Sequence, residues 1–82
     1  MDQRMLRDYY AFCKIMMEKL EKNSHKRTVQ ESDVPAMLEL LMKEVGEFIR
    51  QYMEDKNNPN LERELADIAN FAFLIFQGTR NV

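Results

Sequence analysis

Glu44, Glu47, Glu64 and Asp67 make two pairs of acids with the same three-residue spacing, and sixteen residues separate the pairs. On a helix, that spacing places both members of a pair on one face, one turn apart. Four carboxylates brought together repel one another, so some take up protons or a cation neutralises them. Hard oxygen donors suit Mg²⁺, with Mn²⁺ as the alternative, and no His/Cys cluster suggests zinc. Mg²⁺ keeps several waters and bridges carboxylates to phosphates, which points to hydrolysis of a phosphate ester or anhydride. Ordinary surface charge has the same appearance. The chain is 32% charged, and Lys43 and Arg63 stand beside the acids as partners for weak surface pairs.

The elements that position these acids are helices. From Gln3 to about Asn23, Met5, Leu6, Tyr9, Cys13, Met16, Met17 and Leu20 recur at three- and four-residue steps. The polar stretch "KNSHKRTVQES" breaks that period. Ser32 or Asp33 then offers an N-cap and Pro35 fits a first turn, so a second helix is expected over about Val34–Asp55. Its stripe reads Val34, Met37, Leu38, Leu41, Val45, Phe48, Ile49 and Tyr52. Gly46 lies inside it, which suggests close approach by another helix or by a ligand. "DKNNPN" makes the second break, with Asn58 or Asn60 as cap. A third helix is expected over about Asn60–Gln77, ended by Gly78. Its main stripe is Leu61, Leu65, Ile68, Ala69, Ala72, Ile75 and Phe76, with Phe71, Phe73 and Leu74 pointing elsewhere. At 100° per residue, Glu44 and Glu64 fall at the edges of their stripes, and Glu47 and Asp67 lie about 60° further round. An antiparallel hairpin across the Asn-Pro turn can bring the two pairs face to face. From Ala69 onward the third helix is apolar nearly all round, so a subunit interface is expected to complete its burial.

The expected fold class is therefore all-α. A small bundle of three main helices forms one domain over residues 1–82 and is completed by oligomerisation. Cys13 is the only cysteine, so no intrachain disulfide forms, and the lone thiol reads as a small buried hydrophobe. Net charge is −2, from 14 acids and 12 bases, which disfavours general binding to a nucleic-acid polymer. No apolar run approaches the ~20 residues of a membrane helix, and no secretory signal is evident, so the expected location is cytoplasmic.

The stretch "KEVGEFIRQYMEDKNNPNLERELADIANFAF" resembles the all-α nucleoside triphosphate pyrophosphohydrolases, the MazG-like family, in its short phage and bacterial type. The family signature, E-x-x-E, a turn and E-x-x-D, reads here as Glu44-Val-Gly-Glu47 and Glu64-Leu-Ala-Asp67. Upstream, "MEKLEKNSHK" resembles the K-L-x-x-N-x-H-K of short members, at Lys19, Leu20, Asn23, His25 and Lys26. The likeness runs from about Cys13 to Phe76. It implies Mg²⁺-dependent cleavage of a nucleoside triphosphate between the α and β phosphates, giving a monophosphate and pyrophosphate, an activity that fits housecleaning of the nucleotide pool. Glu44, Glu47, Glu64 and Asp67 would hold the metal, with Glu47 as the proton acceptor. Asn70 would be an outer ligand or a base contact. His25, Lys26 and Arg27 would meet the triphosphate, though a solvated loop reads equally well there. The resemblance also implies a homodimer or homotetramer. Short members carry Gly-Gly-Trp where this chain reads Arg27-Thr28-Val29, and no Trp occurs anywhere. Stacking on a base would then fall to Tyr9, Tyr10, Tyr52 or a Phe. The alternative reading is a non-catalytic helical module that binds nucleotide or protein and keeps the fold.

Overall fold

The computed structural model describes residues 1–23 and 27–82, and among them there are helices and connections but no strand. Helix α1 runs Gln3–Lys22, α2 Val34–Glu54 and α3 Leu61–Arg80. A single 3₁₀ turn, Glu31–Asp33, leads into α2. Each boundary follows from local chemistry. Asp2 caps α1 by accepting from the Met5 amide at 2.8 Å. Lys19 and Lys22 stand in its last turn, where positive charge suits the carbonyl end. Pro35 occupies the first turn of α2, which has no use for the missing N–H. Between α2 and α3, Asp55 and Asn58 turn the chain with their own side chains. Asp55 Oδ1 accepts from the Asn57 amide at 3.0 Å, and Asn58 Oδ1 from the Asn60 amide at 2.9 Å.

Helix α3 is the centre of the fold. It packs against both α2 and α1, while α1 and α2 do not approach one another among the described residues. Two flanking helices need two faces on α3, and this corrects the expected stripe. The most buried line of α3 is Ala66, Asn70, Leu74 and Gly78, at four-residue steps. Leu74, expected to point away, is buried, whereas Leu65 and Phe76 are exposed. At its C-terminal end the line narrows to Gly78, where the Gln30 backbone comes close.

Helix α2 shows the same effect. Its half-buried positions are Val34, Met37, Leu41, Glu44, Glu47, Phe48 and Gln51. The remainder of the expected stripe, Leu38, Val45, Ile49 and Tyr52, is exposed. At 100° per residue the two sets lie roughly a quarter turn apart. The wide apolar face is thus two stripes, and Glu44 belongs to the inward one rather than to its edge.

Neither glycine plays the role expected of it. Gly46 has open space where a side chain would be, with no neighbouring atom within 4 Å. Gly78 does not end α3, which continues to Arg80. It is buried where the connection between α1 and α2 crosses. A Cβ there would meet Val34 Cγ2 at 2.7 Å and the Gln30 carbonyl at 3.1 Å. The crossing is tied by Val29, which is 3% exposed, and by the Glu31 amide donating to the Asn81 carbonyl at 3.2 Å.

Candidate metal centre

The α2–α3 hairpin brings three of the four acids together. Glu44 and Glu47 from α2 and Glu64 from α3 each offer a carboxylate oxygen within 4.8 Å of the other two. All three side chains are half-buried. The turn that reverses the chain also holds Glu64. Asn60, the residue before α3, donates from Nδ2 to Glu64 Oε1 at 3.1 Å. The other oxygen, Glu64 Oε2, is shut off from water and has no hydrogen-bond donor among the described residues.

A buried carboxylate oxygen without a donor is costly, because it loses water and gains nothing in exchange. The charge beside it aggravates this. The Glu44 carboxyl is pushed above the usual glutamate range, chiefly by burial, then by the charges of Glu47, Glu64 and Asp67 and by its hydrogen bond with Glu64. A Glu44 carboxyl that keeps its proton can donate to Glu64, which is one way to relieve the cluster. The second remedy is a hard divalent cation, for which three carboxylates on two helices are a chemically fitting set.

Asp67 lies one turn after Glu64 and contributes to the field at Glu44, but it is not part of the three-acid convergence. Its Oδ2 accepts from Lys19 Nζ of α1 at 2.8 Å, in a pair whose side chains are only 15% and 25% exposed. Lys19 also donates to the Arg63 carbonyl at 3.4 Å. One turn further along the same seam, Asn70 is buried and gives its Nδ2 to the Met16 carbonyl at 2.9 Å. A small open cavity of about 60 Å³ adjoins these groups, walled by Lys19, Asn23, Asp67 and Asn70 with Leu20 and Phe71.

The expected phosphate contacts fare differently. His25 and Lys26 lie outside the described residues. Arg27 is held by Asp33 in a two-pronged pair, with both N–O distances 2.8 Å, on an exposed part of the connection. Lys19, matched in the upstream motif but given no role there, is the neighbour whose contact with Asp67 was not expected. Its signal is positional: it follows Met16 by three residues, so it shares the face of α1 that meets α3. No family model, curated protein or solved structure matches the chain.

Proposed function

We propose that the chain is a divalent-cation-dependent nucleotide pyrophosphohydrolase, cleaving a nucleoside or deoxynucleoside triphosphate to the monophosphate and pyrophosphate. The observation that carries this reading is the convergence of Glu44, Glu47 and Glu64 around a buried Glu64 oxygen that, among the described residues, has no donor unless Glu44 is protonated. Glu44, Glu47 and Glu64 would hold Mg²⁺, or Mn²⁺ in its place, with Asp67 as the fourth acid. The bound cation would neutralise phosphate charge and make a water acidic enough to attack at neutral pH. The chain's own part is orientation and proton transfer. Asn60 fixes the rotamer of Glu64, and burial in the hairpin keeps the acids close. Glu47 takes the proton of the attacking water. Asn70 holds the seam through Met16 and lines the cavity where a base or sugar would lie.

The test is pyrophosphate release from a panel of ribo- and deoxyribonucleoside triphosphates with Mg²⁺ or Mn²⁺. Glu47→Gln and Asp67→Asn should each abolish release while helix content stays unchanged. Absence of release from every nucleotide, at high protein concentration, would sink the assignment.

A second reading, a non-catalytic helical module, draws support from the Lys19 ammonium on the fourth acid. It predicts cation and nucleotide binding without turnover, which calorimetry with a non-hydrolysable analogue would separate from catalysis.

Assembly as a homodimer or homotetramer is part of the proposal. Among the described residues no large side chain is fully buried, while Ile49 and Tyr52 of α2 and Tyr9 and Tyr10 of α1 are each about half exposed. A second copy laid on the outer stripe of α2 would remove that apolar area from water. Light scattering on the eluted species measures the number of copies. No helix among the described residues is long and apolar enough to cross a membrane.

A further inference from the structure

The four acids of the signature divide three and one. Glu44, Glu47 and Glu64 converge, while Asp67 is claimed by a cation that the chain itself supplies. The placement of that cation is a product of the fold. Met16 and Lys19 stand one turn apart on α1, and Asn70 and Asp67 one turn apart on α3. The Met16–Asn70 hydrogen bond and the Lys19–Asp67 pair are therefore adjacent rungs of one seam. The first rung fixes the register that delivers the second. Lys19 Nζ has two acceptors among the described residues, the Asp67 carboxylate and the more distant Arg63 carbonyl. An ammonium carries three donors. Its stem borders the open cavity beside Asn23, so the head has room to leave Asp67 without unpacking α1.

We propose that Lys19 is a positioning residue for the cation and phosphate chemistry described above, and the proposal rests on that functional reading. In the cation-free protein its ammonium keeps Asp67 apart from the three glutamates and offsets their charge. When Asp67 turns to the cage, the ammonium is released at the cavity beside the site, where an anionic phosphate oxygen is its natural partner. Lys19 thus links occupation of the cage to reception of the triphosphate, because the same ammonium serves Asp67 in one state and phosphate in the other.

The experiment is Mg²⁺ titration by calorimetry, without nucleotide, of the unaltered chain, Lys19→Met, Lys19→Gln and Lys19→Arg. Removing the positive charge frees Asp67, so Lys19→Met and Lys19→Gln should bind Mg²⁺ on the order of tenfold more tightly, with Lys19→Arg near the unaltered value. Lys19→Gln retains a hydrogen-bond donor for Asp67 and serves if Lys19→Met does not fold. In nucleotide turnover the neutral variants should raise KM with a smaller change in kcat, and Lys19→Arg should restore KM. Unchanged Mg²⁺ affinity in the folded neutral variants, with only a lower melting temperature, would reduce Lys19 to a strut and overturn the proposal. Mg²⁺ binding by the unaltered chain, together with that insensitivity, ends the role of Lys19 alone. Absence of Mg²⁺ binding by the unaltered chain ends both the role and the metal site.

Discussion

The two seams of α3 handle buried polarity in opposite ways. On the α1 side, Asn70 has the Met16 carbonyl and Asp67 has Lys19, so each buried polar group meets a partner from the same chain. On the α2 side, three glutamates face one another and Glu64 Oε2 has no donor among the described residues. The first seam is complete as it stands. The second leaves one carboxylate oxygen unsatisfied among the described residues, and that asymmetry is what the proposed metal site would explain.

The strongest way to sharpen the contrast is Glu64→Gln. If Glu64 is a ligand, losing its charge should weaken Mg²⁺ binding and pyrophosphate release by on the order of 100-fold. The same change should raise the melting temperature of the metal-free protein, since an amide can donate where the carboxylate cannot. Calorimetry and a thermal scan read the two effects. A change that damages binding and improves the fold is expected only on the incomplete seam.

The corresponding cut on the complete seam is Asn70→Ala. It removes the bond to the Met16 carbonyl, which keeps its place in the α1 helical ladder, and should lower stability by about 0.5–1.5 kcal/mol, measured by urea unfolding. If it proves neutral, the α1 seam is not the joint described here.

A gentler probe is pH. Because Glu44 is raised above its ordinary range, the folded state holds its proton where the unfolded chain has released it. Its contribution is therefore unfavourable as pH rises from the ordinary glutamate range through the raised value. The metal-free protein should lose stability over that window, and Glu44→Gln should flatten the profile. Mg²⁺ affinity should run the other way, strengthening as pH rises, because the proton competes for the carboxylate.

The smallest expected effect is at Gly46. With nothing near its missing side chain, Gly46→Ala should stabilise an isolated chain by about 0.5–1 kcal/mol through helix propensity. In an assembled oligomer the sign depends on whether a second copy seats there. A lower yield of oligomer in that variant would mark Gly46 as part of the contact.

Much of this was legible in the residues. Asp2, Pro35 and the Asn58-Pro59 turn set three helices to within a few residues, because capping and proline act locally. The approach of Glu44 and Glu47 to Glu64 also followed from periodicity and a short reversal. What periodicity could not resolve was which of two apolar stripes on α2 faces α3, since Leu41 and Val45 are equally apolar and only packing separates them. The glycines misled for a similar reason. Gly78 sits near a helix end and reads as a stop, while its real constraint is the connection crossing over it, a contact distant in sequence. The pairing of Lys19 with Asp67 was not legible because a lysine in a last helical turn has a sufficient local explanation in the helix dipole.

The arrangement of α1 has a kinetic consequence. Residues 3–11 of α1 are exposed throughout, and the half-buried side chains of this helix all lie between Phe12 and Leu20, where it meets α3. Amide protons near Tyr9 should therefore exchange quickly although they are helical, while those around Asn70 and Leu74 exchange last. Opening of α1 would proceed from its free end toward Met16 and Lys19. The last rungs to separate would be the two polar ones, so an opening of α1 that starts at its free end would finish beside the acids.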